Sequence, residues 1–211
     1  MNVTSALFEA FLKCPTKCYL RSTGQAVAEN AYAEWVRAQN DAYQSKMGKR
    51  VIEAVADTEG PVASPTANDL KTAAWRLAMD LHVEVGTIES RIHAVERLAQ
   101  GACKPAQFIP TRFTFFNKLT KDDRLLVAFD ALVLSEVLGR EVSLGKIIHG
   151  DSHASLNCCQ KQERSVKRLR HCWLALYPLT SSSTATVENA SSVTAVVKRR
   201  WKRMISVCWA A

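Results

Sequence analysis

Seven cysteines, five histidines and a late run of alternating cations and tryptophan are where this sequence offers chemistry. Thiolates hold metal when four converge at a recognisable spacing. Cys158 and Cys159 are adjacent, with Cys172 and Cys208 far downstream, which matches no cluster spacing. His149, Asp151 and His153 in "HGDSH" are metal-ligating types, yet a strand end followed by a polar turn yields the same letters, and that plainer reading is preferred. The run "KRRWKR" from Lys198 to Arg203 joins phosphate-pairing cations to Trp201, whose ring offers a face for stacking on a base.

Over the whole chain of 211 residues, the net charge of +8 is unevenly placed. Asn157 to Ala211 carries ten Lys and Arg against only Glu163 and Glu188. Of the 28 cations and 20 acids, the 18 and 18 that remain before it cancel. The pI of about 9.2 therefore describes a tail and not a domain. Four of the seven cysteines and three of the five tryptophans (Trp173, Trp201, Trp209) lie in that same stretch. No 18-residue apolar run is present, and Glu9 interrupts the apolar N-terminus. The chain reads as a cytoplasmic protein with no membrane partner, whose odd cysteine count points to thiols or metal ligands and not to a disulfide framework.

The elements that must position these groups read as α/β. "SALFEAFLKC" places Leu7, Phe8, Phe11 and Leu12 at helical spacing behind Thr4 or Ser5 as cap, and Pro15 is expected to stop the helix. Residues 26–56 predict a long polar helix in which Tyr32, Trp35, Val36 and Tyr43 pack. "GPVASPTAN" reads as a loop. "IHAVERL" and "AQFIPTRFTFF" predict two strands, joined as an antiparallel pair across Gly101 to Pro105. "DRLLVAFDALVLSEVLG" predicts a helix opened by Asp122 or Asp123 and closed by Gly139, and "GKIIHG" a short buried strand.

Two segments, "FLKCPTKCYLRSTG" and "AFDALVLSEVLGREVSLGKIIHG", resemble the RecB-like nuclease domain of the PD-(D/E)XK superfamily, including the CRISPR-associated RecB-like exonuclease. The resemblance spans roughly Met1 to Leu156. It implies a small restriction-endonuclease-like core with a central mixed sheet flanked by helices, acting on DNA as single strands or ends. Helicase or further nuclease subunits are the implied protein partners. It also implies Mg²⁺ or Mn²⁺, and a 4Fe–4S cluster held by an N-terminal cysteine, here Cys14, together with three C-terminal cysteines spaced C-x2-C-x5-C.

Those three cysteines are missing as written, so no cluster is expected in this chain. Reading each codon as the third base of one written codon plus the first two of the next, the stretch Thr186 to Val196 permits C-G-E-C-E-F-R-D-R-C, which has the implied spacing. Residues from about 157 onward are accordingly read as a frameshifted, disordered basic tail on a truncated domain, with the domain proper at 1–156.

The catalytic set is also incomplete. Metal-assisted phosphodiester cleavage needs carboxylates for the metal and a lysine to orient water. The Glu-x-Lys that the resemblance calls for reads Pro110-Thr111-Arg112 here. Glu96 and Asp130 as metal ligands and Lys118 as the water-orienting group are the candidate remnant. Three functions follow: a RecB-like DNA nuclease domain, inactive or degenerate in this chain; a non-catalytic DNA- or protein-binding module of the same fold within a helicase–nuclease assembly; and a small basic nucleic-acid binder whose tail is genuine.

Overall fold

The structure, a computed structural model, describes residues 2–24, 30–55, 61–66, 69–70, 75–98 and 106–158. The tail read as out of frame and disordered lies, beyond Cys158, outside the described residues, as does the Gly101 to Pro105 link.

The chain runs β1 (Val3–Thr4), α1 (Ser5–Lys13), α2 (Pro15–Ser22), α3 (Ala31–Val55), β2 (Val62–Ala63), β3 (Leu77–Val85), β4 (Ile88–Leu98), β5 (Gln107–Thr114), α4 (Lys121–Leu138), β6 (Leu144–His149) and β7 (Ser152–Asn157). The strands form one mixed seven-stranded sheet in the order β2-β3-β4-β5-β6-β7, with β1 pairing alongside β4. β3, β4 and β5 are an antiparallel meander, α4 crosses over to a parallel β6, and β7 returns antiparallel. The expected α/β class and the antiparallel pairing of the two sequence-read strands are both present.

α4 is the central layer on one face of the sheet. Its N-terminus is fixed by a capping box: the Thr120 hydroxyl accepts from the Asp123 amide, while the Asp123 carboxylate accepts from the Thr120 amide. Gly139 ends it with φ 66°, a left-handed conformation that glycine adopts without a Cβ clash. Thr120→Ala removes half of this box and is expected to cost about 1 kcal/mol, read as a shift in the urea midpoint. Phe129 is fully buried and stacks on Phe8 of α1 at 4.9 Å between ring centroids. Leu126, Leu132, Val133 and Leu134 complete the contact with Leu81, Val83, Ile92 and Ile147 of the sheet. Gly145 of β6 is required here, because a Cβ would run into Val127 of α4 and Cys158 Sγ.

α3 covers the opposite face, where Met47 joins Leu77, Ala94 and Phe113, and the Tyr43 hydroxyl donates to the Gly150 carbonyl at 2.7 Å. Both faces of β3 and β4 change phase at one level. Leu81 and Ile92 face α4 on one side of it, and Met79 and Ala94 face α3 on the other. Asp80 takes φ 54° at that level, in the turn of phase opposite His93.

α1 ends at Lys13 with Cys14 extended, ahead of Pro15 as expected, and Pro15 then opens α2, because its missing N–H is one that the first turn leaves unpaired anyway. Two expectations differ from the structure. Tyr32 and Trp35 do not pack into the core; they are 66% and 51% exposed. β3 and β7 are strands that the sequence reading did not place, and the loop reading of "GPVASPTAN" omitted the two-residue β2. Pairing in β7 continues through Asn157, and the Cys158 amide donates to the Ser143 carbonyl at 2.7 Å. The boundary expected after Leu156 therefore falls inside an element of the sheet.

Candidate nucleic-acid interface

A cleft of about 520 Å³ opens where α1, α2 and α3 meet the middle of β4, the end of β5 and the start of α4. Its charge follows from helix geometry. α1 buries Phe8, Ala10 and Phe11, which leaves Glu9 and Lys13 on the other side, ion-paired across one turn at 2.5 Å. Pro15 then starts α2, where Cys18 is buried and Lys17 and Arg21, four residues apart, line the cleft. α3 supplies Ala33, Arg37, Asn40 and Gln44, whose three- and four-residue spacing makes one face. Lys13, Lys17, Arg21 and Arg37 thus surround a cavity whose acids are Glu9 and Asp123, the second of which is occupied in capping α4.

An aromatic rim borders this basic wall. Tyr32 stacks on Trp35 one helical turn away, with centroids 6.1 Å apart and planes 25° from parallel. Trp35 meets Phe115 edge-on at 5.8 Å, and Phe115 lies against Phe116 at 4.3 Å. The Phe115 amide donates to Asn40 Oδ1, which ties the end of β5 to α3. Tyr32 and Phe116 also line the cleft.

At the inner end lie His93 and Arg112. Burial, reinforced by the positive charge of Arg112, lowers the His93 pKa from 6.5 to about 3. The ring is therefore neutral at physiological pH. Its Nδ1 accepts from the Phe113 amide at 3.0 Å, so its proton sits on Nε2. A base whose folded pKa is depressed gives stability that is fully present above its unfolded pKa and is lost as pH falls. The fold is expected to lose up to about 1.4 kcal/mol per pH unit below pH 6.5, a slope that His93→Asn removes in denaturant titrations at pH 7 and pH 5.

Arg112 turns inward from the cleft. Its Nε and Nη2 both donate to the Asp130 carboxylate, which is fully buried and also accepts from the Ser90 hydroxyl at 2.6 Å. Ser90 is within 3.1 Å of Ser5 Oγ, which accepts from the Arg91 amide. Burial alone would lower the Arg112 pKa. The charge and hydrogen bonds of Asp130 more than reverse that, and the guanidinium is raised and stays charged.

The structure places Glu96, Asp130 and Lys118, the candidate catalytic remnant, in three separate settings. Glu96 lies on the α3 face in a second cleft of about 340 Å³, paired with Lys146 of β6 at 2.7 Å. Asp130 lies under the α4 face, and Lys118 is exposed in the turn before α4. Lys146 was missed by sequence reasoning. No spacing rule places it beside Glu96; that needs the β5–β6 register, in which Lys146 lies across from Thr111. In the Pro110-Thr111-Arg112 stretch, Pro110 is buried and Thr111 Oγ1 is buried with no partner among the described residues. Of the "HGDSH" residues, His149 Nδ1 donates to the Asn117 carbonyl, while Asp151 and His153 border the second cleft. Cys14 is exposed at the N-cap of α2, and the Lys17 amide lowers its thiol pKa.

Among the described residues, no ligand set assembles for either inorganic group implied by the resemblance. Glu96 and Asp130 occupy opposite faces of the sheet, each already held by a cation. Cys14 is at the surface while Cys18 and Cys158 are buried, and no group of three or more His, Cys, Asp or Glu side chains converges among the described residues. No helix among the described residues is long and apolar enough to cross a membrane.

No family model matches the sequence, and no curated protein does. Among solved structures, that of SSO0001 is similar over 86% of this chain and 87% of its own, at 12% identity and a TM-score of 0.36.

Proposed function

We infer that this chain is a nucleic-acid-binding module of RecB-like, restriction-endonuclease-like type, which grips DNA in the cleft between α1–α2 and α3 and does not cut it. The observation that carries this reading is the convergence of Lys13, Lys17, Arg21 and Arg37 on one cavity in a domain whose net charge before the tail is zero. With no overall excess to explain them, clustered cations mark a place for an anion, and an open cleft of this size admits a phosphate backbone. The mixed sheet with helices on both faces agrees with the resemblance, and the separation of Glu96 from Asp130 favours binding over hydrolysis.

Fluorescence anisotropy with a labelled oligonucleotide tests it. The Lys17→Glu, Arg21→Glu double variant should lose most of the affinity of the full chain, and unchanged affinity would sink the reading. A labelled strand incubated with Mg²⁺ or Mn²⁺ should stay intact. Cleavage that disappears in Glu96→Ala would establish a nuclease instead.

A further inference from the structure

We propose that the Tyr32–Trp35–Phe115–Phe116 rim is a base-stacking platform, so that the strand held in the cleft is one whose bases are unpaired; this rests on the binding function inferred above. Three observations point the same way. The rings are exposed where apolar area is costly: Tyr32 66%, Trp35 51% and Phe116 42%. They are also braced. Trp35 is held between Tyr32 and the edge contact with Phe115, and Phe115 is fixed to α3 through Asn40, so the rings are set in place before any ligand arrives. Finally, Tyr32 and Phe116 border the same cavity as Lys17, Arg21 and Arg37. A strand tracking those cations therefore passes the rings within its own width.

This combination distinguishes nucleic-acid forms. A duplex keeps its bases stacked on each other and offers the rim only sugar and phosphate. A single strand can place a base against the free face of Tyr32, an interaction tolerant of sequence because every base has a π-face. The positive charge alongside also separates this rim from an ordinary sticky patch: a second copy of the chain would bring the same cations against themselves.

The test uses the full chain and three labelled probes of equal length: a single strand, its duplex, and a single strand with abasic sites. Tyr32→Ala should weaken single-strand binding about tenfold and leave duplex binding unchanged, and Tyr32→Phe should restore it. The abasic strand should bind the native protein about as weakly as the intact strand binds Tyr32→Ala. Because Tyr32 is exposed, the variant is expected to keep its circular dichroism spectrum and unfolding midpoint. Equal losses for strand and duplex, or no loss for either, would overturn the platform. So would a change in sedimentation-derived oligomeric state without a change in DNA binding, since a second copy would then be its occupant. If the Lys17→Glu, Arg21→Glu variant binds every probe normally, the failure belongs to the cleft reading and not to the platform alone.

Discussion

Asp130→Ala should lower the folding free energy by about 3–5 kcal/mol, the range typical when one partner of a buried ion pair is removed. Arg112 is left with a charge that burial disfavours and that, among the described residues, Asp130 compensates at hydrogen-bonding range. The Ser90 hydroxyl loses its acceptor in the same step. Urea denaturation at neutral pH measures the loss. Replacing both members with apolar residues, Asp130→Leu with Arg112→Met, should recover much of it, since a well-packed apolar pair needs no compensation for buried charge. The alternative role for Asp130, as a metal ligand, has opposite signatures: millimolar Mg²⁺ or Mn²⁺ would stabilise the native chain, and Asp130→Ala would abolish that gain while costing little in the absence of metal. The pairing geometry predicts no metal-dependent shift.

This pair also shows why the fold was more legible than the site. α4 was readable because its signals are local: a cap residue, an apolar face with helical period, and a terminal glycine all lie within twenty residues, Thr120 to Gly139. The same holds for α1 and β6. β3 was missed although Leu81, Val83 and Val85 alternate, because the phase change at Asp80 breaks the pattern within the strand. The site was harder for a different reason. Asp130 looked available because it is a carboxylate in an apolar helix, and such a residue in sequence carries no sign of whether metal or arginine faces it. Arg112 was visible in the Glu-x-Lys position, but that its guanidinium crosses to Asp130 follows only from β5 lying under α4. Likewise Tyr32 and Trp35 have helical spacing that suits a core stripe as well as a surface platform. What separates the two is Phe115 arriving from β5, a contact between residues 80 positions apart.

Salt dependence should report how many phosphates the cleft holds and which part of the chain holds them. If Lys13, Lys17, Arg21 and Arg37 each neutralise one phosphate of a single strand, log K falls with log salt at a slope of about −2.8, and raising salt from 50 to 200 mM weakens binding about 50-fold. Reversing Lys17 and Arg21 leaves two such contacts, with a slope near −1.4 and a loss of about sevenfold over the same range. The competing source is the run Lys198, Arg199, Arg200, Lys202 and Arg203, whose charge density alone is enough to attract any polyanion. The two sources separate in the full chain. Changing those five residues to Gln should leave the slope and the single-strand preference close to native if the cleft is the site. If the tail is the site, that variant loses the slope, and the Lys17→Glu, Arg21→Glu variant keeps it. A tail that binds through charge alone should also bind heparin and duplex as readily as a single strand. The cleft, with its fixed rings beside four cations, should not, because stacking on Tyr32 requires an unpaired base.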